Sequence, residues 1–336
     1  MSSLPLFAFP EKSPLVGIAR LASEGESLRE GHDVEYFTLP AKSLLNRCAS
    51  RRGVPFEWTI NPYRGCEFGC KYCYARYTHE FMEMRDGVDF EQKIYVKQHA
   101  AELLRQELRQ VKQGESIAIG AATDPYQPAE RRYEVTRGIL EELARHDGLN
   151  VGIITKSNFI LRDIDVLQEV ARRNRLSINI TVTTLDVELA RILEPRAPRP
   201  DLRLEAIRKL SEAGLRAGMS GSPVLPGITD SPKDLEALVR AAAEAGAHHI
   251  FAGPLFLKPC SAAVFLPFLE KQFPHLVENY KRRYHGRAFL PAAYAKPLSQ
   301  LVARLRQKYG IGSAPRRSDA DEIIPPAPAG EQLTLF

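Results

Sequence analysis

Long apolar runs are missing from this 336-residue chain. No stretch approaches the roughly 20 uncharged apolar residues that a membrane-spanning helix needs, so no membrane partner is expected. The start, Met1-Ser2-Ser3-Leu4-Pro5, lacks a basic segment followed by an apolar one, the pattern of a secretory signal. Cytoplasm is the expected compartment. Cysteine is scarce and odd in number, five in all. A secreted disulfide scaffold spreads more of them through a shorter chain. A large excess of one charge sign is missing as well. Lys and Arg number 46 against 41 Asp and Glu, a net +5 that is compatible with an anionic partner without requiring one. No internal repeat stands out.

Hydrophobic residues make up 44% of the chain, enough for one large domain or two ordinary ones with a substantial core. Residues 1–50 show weak periodicity and read as an N-terminal extension. From about 55 short apolar runs alternate with longer amphipathic segments. Strands are expected at 57–61, 116–121, 150–155, 177–183, 216–224 and 248–252. Helices are expected near 97–113, 134–147, 161–175, 201–213 and 232–246. Ser231 followed by Pro232 is a clear helix start. Six strands alternating with helices predict an α/β fold with a parallel sheet, as an open doubly wound sheet or a barrel. In either, chemistry belongs at the C-terminal strand ends. These ends read Asn61 to Cys66, Ala122 to Tyr126, Thr155 to Asn158, Thr183-Thr184, and Pro223 to Gly227. Residues 261–310 read as a helical extension punctuated by Pro267, Pro274, Pro291 and Pro297. Residues 311–331 shift to Ala, Pro, Ser and charge and read as a disordered linker.

Three of the five cysteines fall within eight residues: Cys66-Glu-Phe-Gly-Cys70-Lys-Tyr-Cys73. Three thiolates hold three irons of a [4Fe–4S] cubane and leave the fourth open. A plain electron carrier uses four cysteines; a catalyst uses the vacancy. Gly65 and Gly69 let the backbone bend closely around a cluster. The competing metal reading is zinc on Cys₃His with His79 as fourth ligand. Cys48 and Cys260 stand alone and read as small buried hydrophobes.

The segment Asn61-Pro-Tyr-Arg-Gly-Cys66-x3-Cys70-x2-Cys73-Tyr-Ala-Arg resembles the signature of the radical SAM superfamily. It is similar in particular to the group of spore photoproduct lyase and its "DNA repair photolyase"-like relatives. The likeness continues through Ala122 to Gln127, Thr155-Lys156-Ser157 and Pro226 to Ser231, covering roughly residues 40 to 260. It implies a partial (β/α)6 barrel over 51–260. It implies a [4Fe–4S] cluster on Cys66, Cys70 and Cys73, S-adenosylmethionine as co-substrate, and an external electron donor. It also implies that Tyr72, Thr123, Asp124, Lys156, Ser157 and Thr183 contact S-adenosylmethionine, with the loop 226–230 flanking adenine. One departure stands out. Spore photoproduct lyases carry a hydrogen-donating cysteine soon after the second strand, whereas here 120–124 reads Gly-Ala-Ala-Thr-Asp. Cys260 and the tyrosines Tyr72, Tyr74 and Tyr126 are the other groups able to pass a hydrogen atom or radical.

The chain ends Gln332-Leu333-Thr334-Leu335-Phe336. The pentapeptide resembles the bacterial sliding-clamp-binding motif, with Gln332, Leu333, Leu335 and Phe336 as its anchors. Lys281 to Arg287 is a dense basic cluster with an aromatic inside it, a pattern that tracks phosphates or forms a solvated helical face. The expectation is a radical enzyme acting on a DNA lesion. Radical modification of RNA or of a small molecule is the alternative within enzymes. A non-catalytic metal module tethered to the replication clamp is the alternative outside them.

Overall fold

A computed structural model describes residues 15–31, 33–48 and 55–312. Most of the linker and the terminal pentapeptide 332–336 lie outside the described residues. Eleven strands are described: β1 Ser27–Gly31, β2 Val34–Leu39, β3 Leu45–Arg47, β4 Trp58–Ile60, β5 Tyr63–Arg64, β6 Lys93–Lys97, β7 Ser116–Ile119, β8 Asn150–Thr155, β9 Arg175–Thr181, β10 Ala217–Ser220 and β11 Ile250–Phe251.

The larger sheet runs in the order β11-β10-β9-β8-β7-β4-β3. The strands β4, β7, β8, β9, β10 and β11 are parallel, each paired with the next. They are the six strands expected from the periodicity. Helices cross between them and give the row its partial (β/α)6 character. β3 closes one edge antiparallel to β4. Among the described residues no ladder joins β11 to β3, so the row stays open.

Each parallel strand fully buries at least one apolar side chain, among them Ile60, Ile119, Ile153, Ile178, Met219 and Ile250. Each such burial stabilises by about 1.5–3 kcal/mol. The covering helices supply the opposite wall. In Pro232–Glu244 the Ser231 hydroxyl accepts from the Asp234 amide at 3.1 Å, as its sequence predicts. Leu235, Leu238, Val239 and Ala242 face the sheet.

A second sheet, ordered β1-β2-β6-β5, was not foreseen. The segment 17–47, read as weakly periodic, holds the helix Gly17–Ser23 and three strands. Burial along β2 does not alternate, which explains the missing signal. β6 falls where the expected helix 97–113 begins. That helix starts only at Ala100, after His99 turns the chain with φ +54°. β6 matters because it pairs with β5, Tyr63 against Val96 and Arg64 against Tyr95. It thereby fixes the strand that feeds the cysteine loop. The C-terminal helices are Pro259–Gln272, Val277–Tyr284 and Ala292–Lys308. Pro274 and Pro291 stand at breaks, as expected, but Pro267 and Pro297 sit inside helices.

His249 is buried with Nε2 2.8 Å from the Asn179 side-chain oxygen. Burial pushes its pKa down to about 4, aided by Arg216 and His248. Burial does the same to His79, also to about 4. The folded values lie below the ordinary 6.5. The unfolded chain therefore takes up protons first as pH falls, and stability drops as pH is lowered from about 6.5 towards 4. Denaturant unfolding across this interval checks it. In His249→Asn the decline is expected to be shallower than in the parent.

Candidate active site

The cysteine loop follows β5 and is held from outside at nearly every peptide. Gly65 has φ +84°, and a Cβ there would lie 2.7 Å from the Lys93 carbonyl oxygen. Its own carbonyl accepts from Thr123 Oγ1 at 2.6 Å and Gln127 Nε2 at 3.1 Å. The Cys66 amide donates to the Phe90 carbonyl at 2.9 Å, and the Lys71 amide to the Leu193 carbonyl at 2.9 Å. Arg76 donates to the Cys70 carbonyl at 3.0 Å while pairing with Glu91 at 2.6 Å. Ser261 donates to the Cys73 carbonyl at 2.9 Å. Glu67 turns away from the loop and accepts from Tyr36 and from the Ala129 amide, both at 2.8 Å.

Cys66 and Cys70 are buried and Cys73 is half-buried. Burial pushes all three thiols up, Cys70 to about 12. Their mutual repulsion adds to this at Cys66, while Lys156 opposes it at Cys70 and Arg76 at Cys73. A cationic metal group reverses that balance, because the thiolate is the ligand. The donor set fits the thiolates of an iron–sulfur cluster, which takes one iron per cysteine. Among the described residues no three Cys, His, Asp or Glu side chains are grouped to hold a single metal ion. His79, the fourth ligand of the zinc reading, is engaged on β6. Its Nε2 lies 3.1 Å from the Lys93 carbonyl oxygen and its ring is edge-on to Phe90 and Tyr95.

The expected S-adenosylmethionine contacts gather near this loop, but several hydroxyls already have structural partners. Thr123 props Gly65 and also accepts from Gln127 at 3.0 Å. Asp124 ties two strand ends together: Oδ1 accepts from the Tyr126 amide at 2.9 Å and Thr155 at 2.6 Å, and Oδ2 from the Lys156 amide at 2.7 Å. Ser157 caps the short turn that follows it, accepting from the Phe159 amide at 3.2 Å. The loop 226–230 closes on itself through Thr229 and Asp230 and is held by Tyr294. Tyr126 lies in the main core, and Tyr74 donates to the Ala121 carbonyl. Cys260 is half-buried beside Ser261.

Tyr72, Lys156 and Thr183 join a charged network that sequence reasoning missed. Tyr72 donates to Glu194 and lies 3.0 Å from Thr183 Oγ1, and Thr183 donates to Glu194 at 2.8 Å. The Lys156 ammonium sits 5.7 Å from the Tyr72 ring centre. Glu194 pairs with Arg203 at 2.6 Å, both side chains 1% exposed. Burial opposes ionisation of Glu194, yet Arg203 and Lys156 hold its carboxyl below the ordinary range. Burial also opposes the charge on Lys156, while Cys70 and Glu194 raise its pKa. A signal for Arg203 did exist. It occupies the apolar stripe of Pro200–Glu212 with Ala206, Ile207 and Leu210, a place where an arginine needs a partner.

Arg203→Met leaves Glu194 buried without its main counter-charge. The expected cost is about 3–5 kcal/mol, measured by denaturant unfolding. Adding Glu194→Gln to it is expected to restore part of the loss.

A family model, the Radical SAM superfamily, matches residues 60–242. The uncharacterized protein Rv2578c of Mycobacterium tuberculosis is 35% identical over 304 residues, 90% of this chain and 88% of that protein. The uncharacterized protein MJ0683 of Methanocaldococcus jannaschii is 27% identical over 198 residues, 59% of this chain and 70% of that protein. Among solved structures, spore photoproduct lyase complexed with dinucleoside spore photoproduct superposes with a TM-score of 0.63 at 15% identity. The match covers 92% of this chain and 86% of that one, a likeness of fold. A spore photoproduct lyase variant with bound AdoMet gives the same values. The matched span runs from the last residue of β4 and contains the three-cysteine loop and the parallel strands β7, β8, β9 and β10, and on that footing the chain belongs to the radical SAM superfamily and is an enzyme of the radical SAM class.

Proposed function

We propose that this enzyme holds a [4Fe–4S] cluster on Cys66, Cys70 and Cys73 and acts on a lesion in DNA. The observation that carries the cluster reading is the pinned three-cysteine loop with Lys156 and Glu194 set against Cys70. Bound there, such a cluster would supply one electron, drawn from an external donor, for cleavage of the C5′–S bond of S-adenosylmethionine into methionine and a 5′-deoxyadenosyl radical. The residues of this chain supply the rest. Lys156 offers its ammonium to the carboxylate of the methionyl group. Tyr72 and Thr183 orient Glu194 and so fix the charge facing Lys156. Thr123, Asp124 and Ser157 act as positioning residues that hold the loop and the strand ends. Hydrogen return by a cysteine after the second strand is not part of the proposal, because 120–124 contains none. Support for DNA comes from three sides: the shared fold with an enzyme that binds a dinucleoside photoproduct, the basic segment 281–287, and the clamp-like tail.

Anaerobic reconstitution with iron and sulfide, then reduction with S-adenosylmethionine present, tests the reaction. 5′-Deoxyadenosine is expected from the parent and lost in Cys66→Ala, Cys70→Ala and Cys73→Ala. Its persistence in those variants overturns the cluster assignment. Lys156→Met is expected to raise the KM for S-adenosylmethionine more than tenfold, about 1.4 kcal/mol of binding.

The tail reading is separate. Through Gln332, Leu333, Leu335 and Phe336 the chain is expected to be retained on immobilised sliding clamp, and deletion of 332–336 is expected to abolish retention. Equal retention without the pentapeptide refutes clamp binding by this route.

A further inference from the structure

Five aromatic rings run in contact across the rim beside the cysteine loop. Phe81 meets Tyr77 edge-on with ring centres 5.7 Å apart, and Tyr77 stacks near Tyr74 at 6.5 Å. Tyr74 meets Phe256 at 5.8 Å, and Phe256 stacks on Phe289 at 4.3 Å. Tyr74, the middle ring, directly follows Cys73, so the row is centred beside the cysteine loop. Phe81, Phe289 and Tyr74 are 60%, 46% and 39% exposed. A single exposed ring needs no explanation, but a connected row of them marks a contact surface.

Cations are interleaved with the rings. The Lys258 ammonium lies 3.5 Å from the centre of Tyr77 and 5.8 Å from that of Phe256. The segment carrying Lys258 is stitched to the basic cluster. Tyr284 donates to the Leu255 carbonyl and the Leu257 amide donates to the Ala288 carbonyl, both at 2.9 Å. That stitching brings exposed Arg287 to the Phe289 end of the row.

Two more cations lie behind the Tyr77 end. Arg64 is paired across from Tyr95, and Lys97 stands two residues further along the same face of β6. Lys97 is buried and Arg64 half-buried. Arg64 makes one long bond to the Thr78 carbonyl at 3.4 Å, and its Nε has no partner. Among the described residues neither cation has a carboxylate within ion-pair distance. Burial, with Arg64 beside it, lowers the Lys97 pKa to about 7, so the charge at this end rests mainly on the half-buried Arg64 guanidinium, which favours an incoming anion.

We propose that the rim is a stacking platform for single-stranded nucleic acid, its rings taking unpaired bases and Lys258 and Arg287 taking backbone phosphates. Flat π faces alternating with negative charge are the chemistry that this pattern complements. A duplex hides its base faces, so an unpaired strand is the better fit. The proposal names the substrate class of the site assigned above. It rests on that reading for the reaction but not for binding.

Fluorescence anisotropy of labelled oligo(dT), oligo(U) and a duplex of equal length tests it, using the reconstituted full-length protein without reductant. Single strands are expected to bind at least about tenfold more tightly than duplex, with affinity falling as salt rises. Phe81→Ala and Phe289→Ala are each expected to weaken binding roughly tenfold. Lys258→Gln is expected to reduce the salt slope by about one. Unchanged iron content and thermal unfolding show that the variants fold. Three results overturn the platform: no oligonucleotide bound, duplex bound as tightly as single strand, or ring variants that bind like the parent. Binding without 5′-deoxyadenosine formation leaves the platform standing and sinks the cluster chemistry. Turnover without binding does the reverse.

Discussion

The peptide that joins Arg64 to Cys66 has almost no freedom, and the site depends on it. Gly65 adopts a backbone angle that side-chain-bearing residues avoid, and a Cβ there would press on the Lys93 carbonyl. Its own carbonyl takes two hydrogen bonds, from Thr123 and Gln127. Three parts of the fold therefore meet at one residue: β6, the end of β7, and the turn after it. Each bond is worth only about 1 kcal/mol net. Their effect is directional rather than energetic, since together they leave Cys66 one way to leave the strand. The unforeseen second sheet finds its purpose here, because β6 fixes the backbone of β5 while Tyr63 and Arg64 anchor its side chains to Glu130 and the Thr78 carbonyl.

Beyond Gly65 the order passes to buried charge. Glu194 and Arg203 attract strongly in a medium of low dielectric, but removing both from water costs a comparable amount. The pair is thus a weak source of net stability. It fixes where negative charge lies, and Tyr72, Thr183 and Lys156 arrange themselves around that point. Asp124 does the same for the β7 and β8 ends with three hydrogen bonds. Fixed charges of this kind need no reorganisation when a charged co-substrate arrives.

The legible parts of this molecule share a cause. The six parallel strands announced themselves because helix and strand periods alternate cleanly from 57 onwards. The cysteine loop announced itself because its ligands are adjacent in sequence. The illegible parts depend on partners far away in the chain. Tyr72 and Glu194 are 122 residues apart, and Tyr36 and Glu67 are 31 apart. β2 carries no clean alternation, so its pairing with β6 left no trace. Thr123 and Ser157 illustrate a subtler gap. The sequence marked them as contacts for S-adenosylmethionine, and it did not show that their hydroxyls also brace the backbone. The Thr123 bond joins segments tens of residues apart, which is why the local pattern carries no mark of it.

The proposed platform draws on two stretches of this chain, Tyr74, Tyr77 and Phe81 inside the superfamily match and the rest outside it. The superfamily match ends at 242, and it includes the cysteine loop and the ends of β7, β8 and β9. Phe256, Lys258 and Phe289 lie beyond it, on the chain that follows β11. They reach the site because Leu257 and Ala288 pair and Ser261 bonds to the Cys73 carbonyl. A fold shared at 15% identity carries the scaffold but not the target. Under the proposal, the target is read where the appended segment meets the loop. Exposed rings there, with Lys258 and Arg287 beside them and the Arg64 guanidinium behind, match the flat faces and phosphates of an unpaired strand.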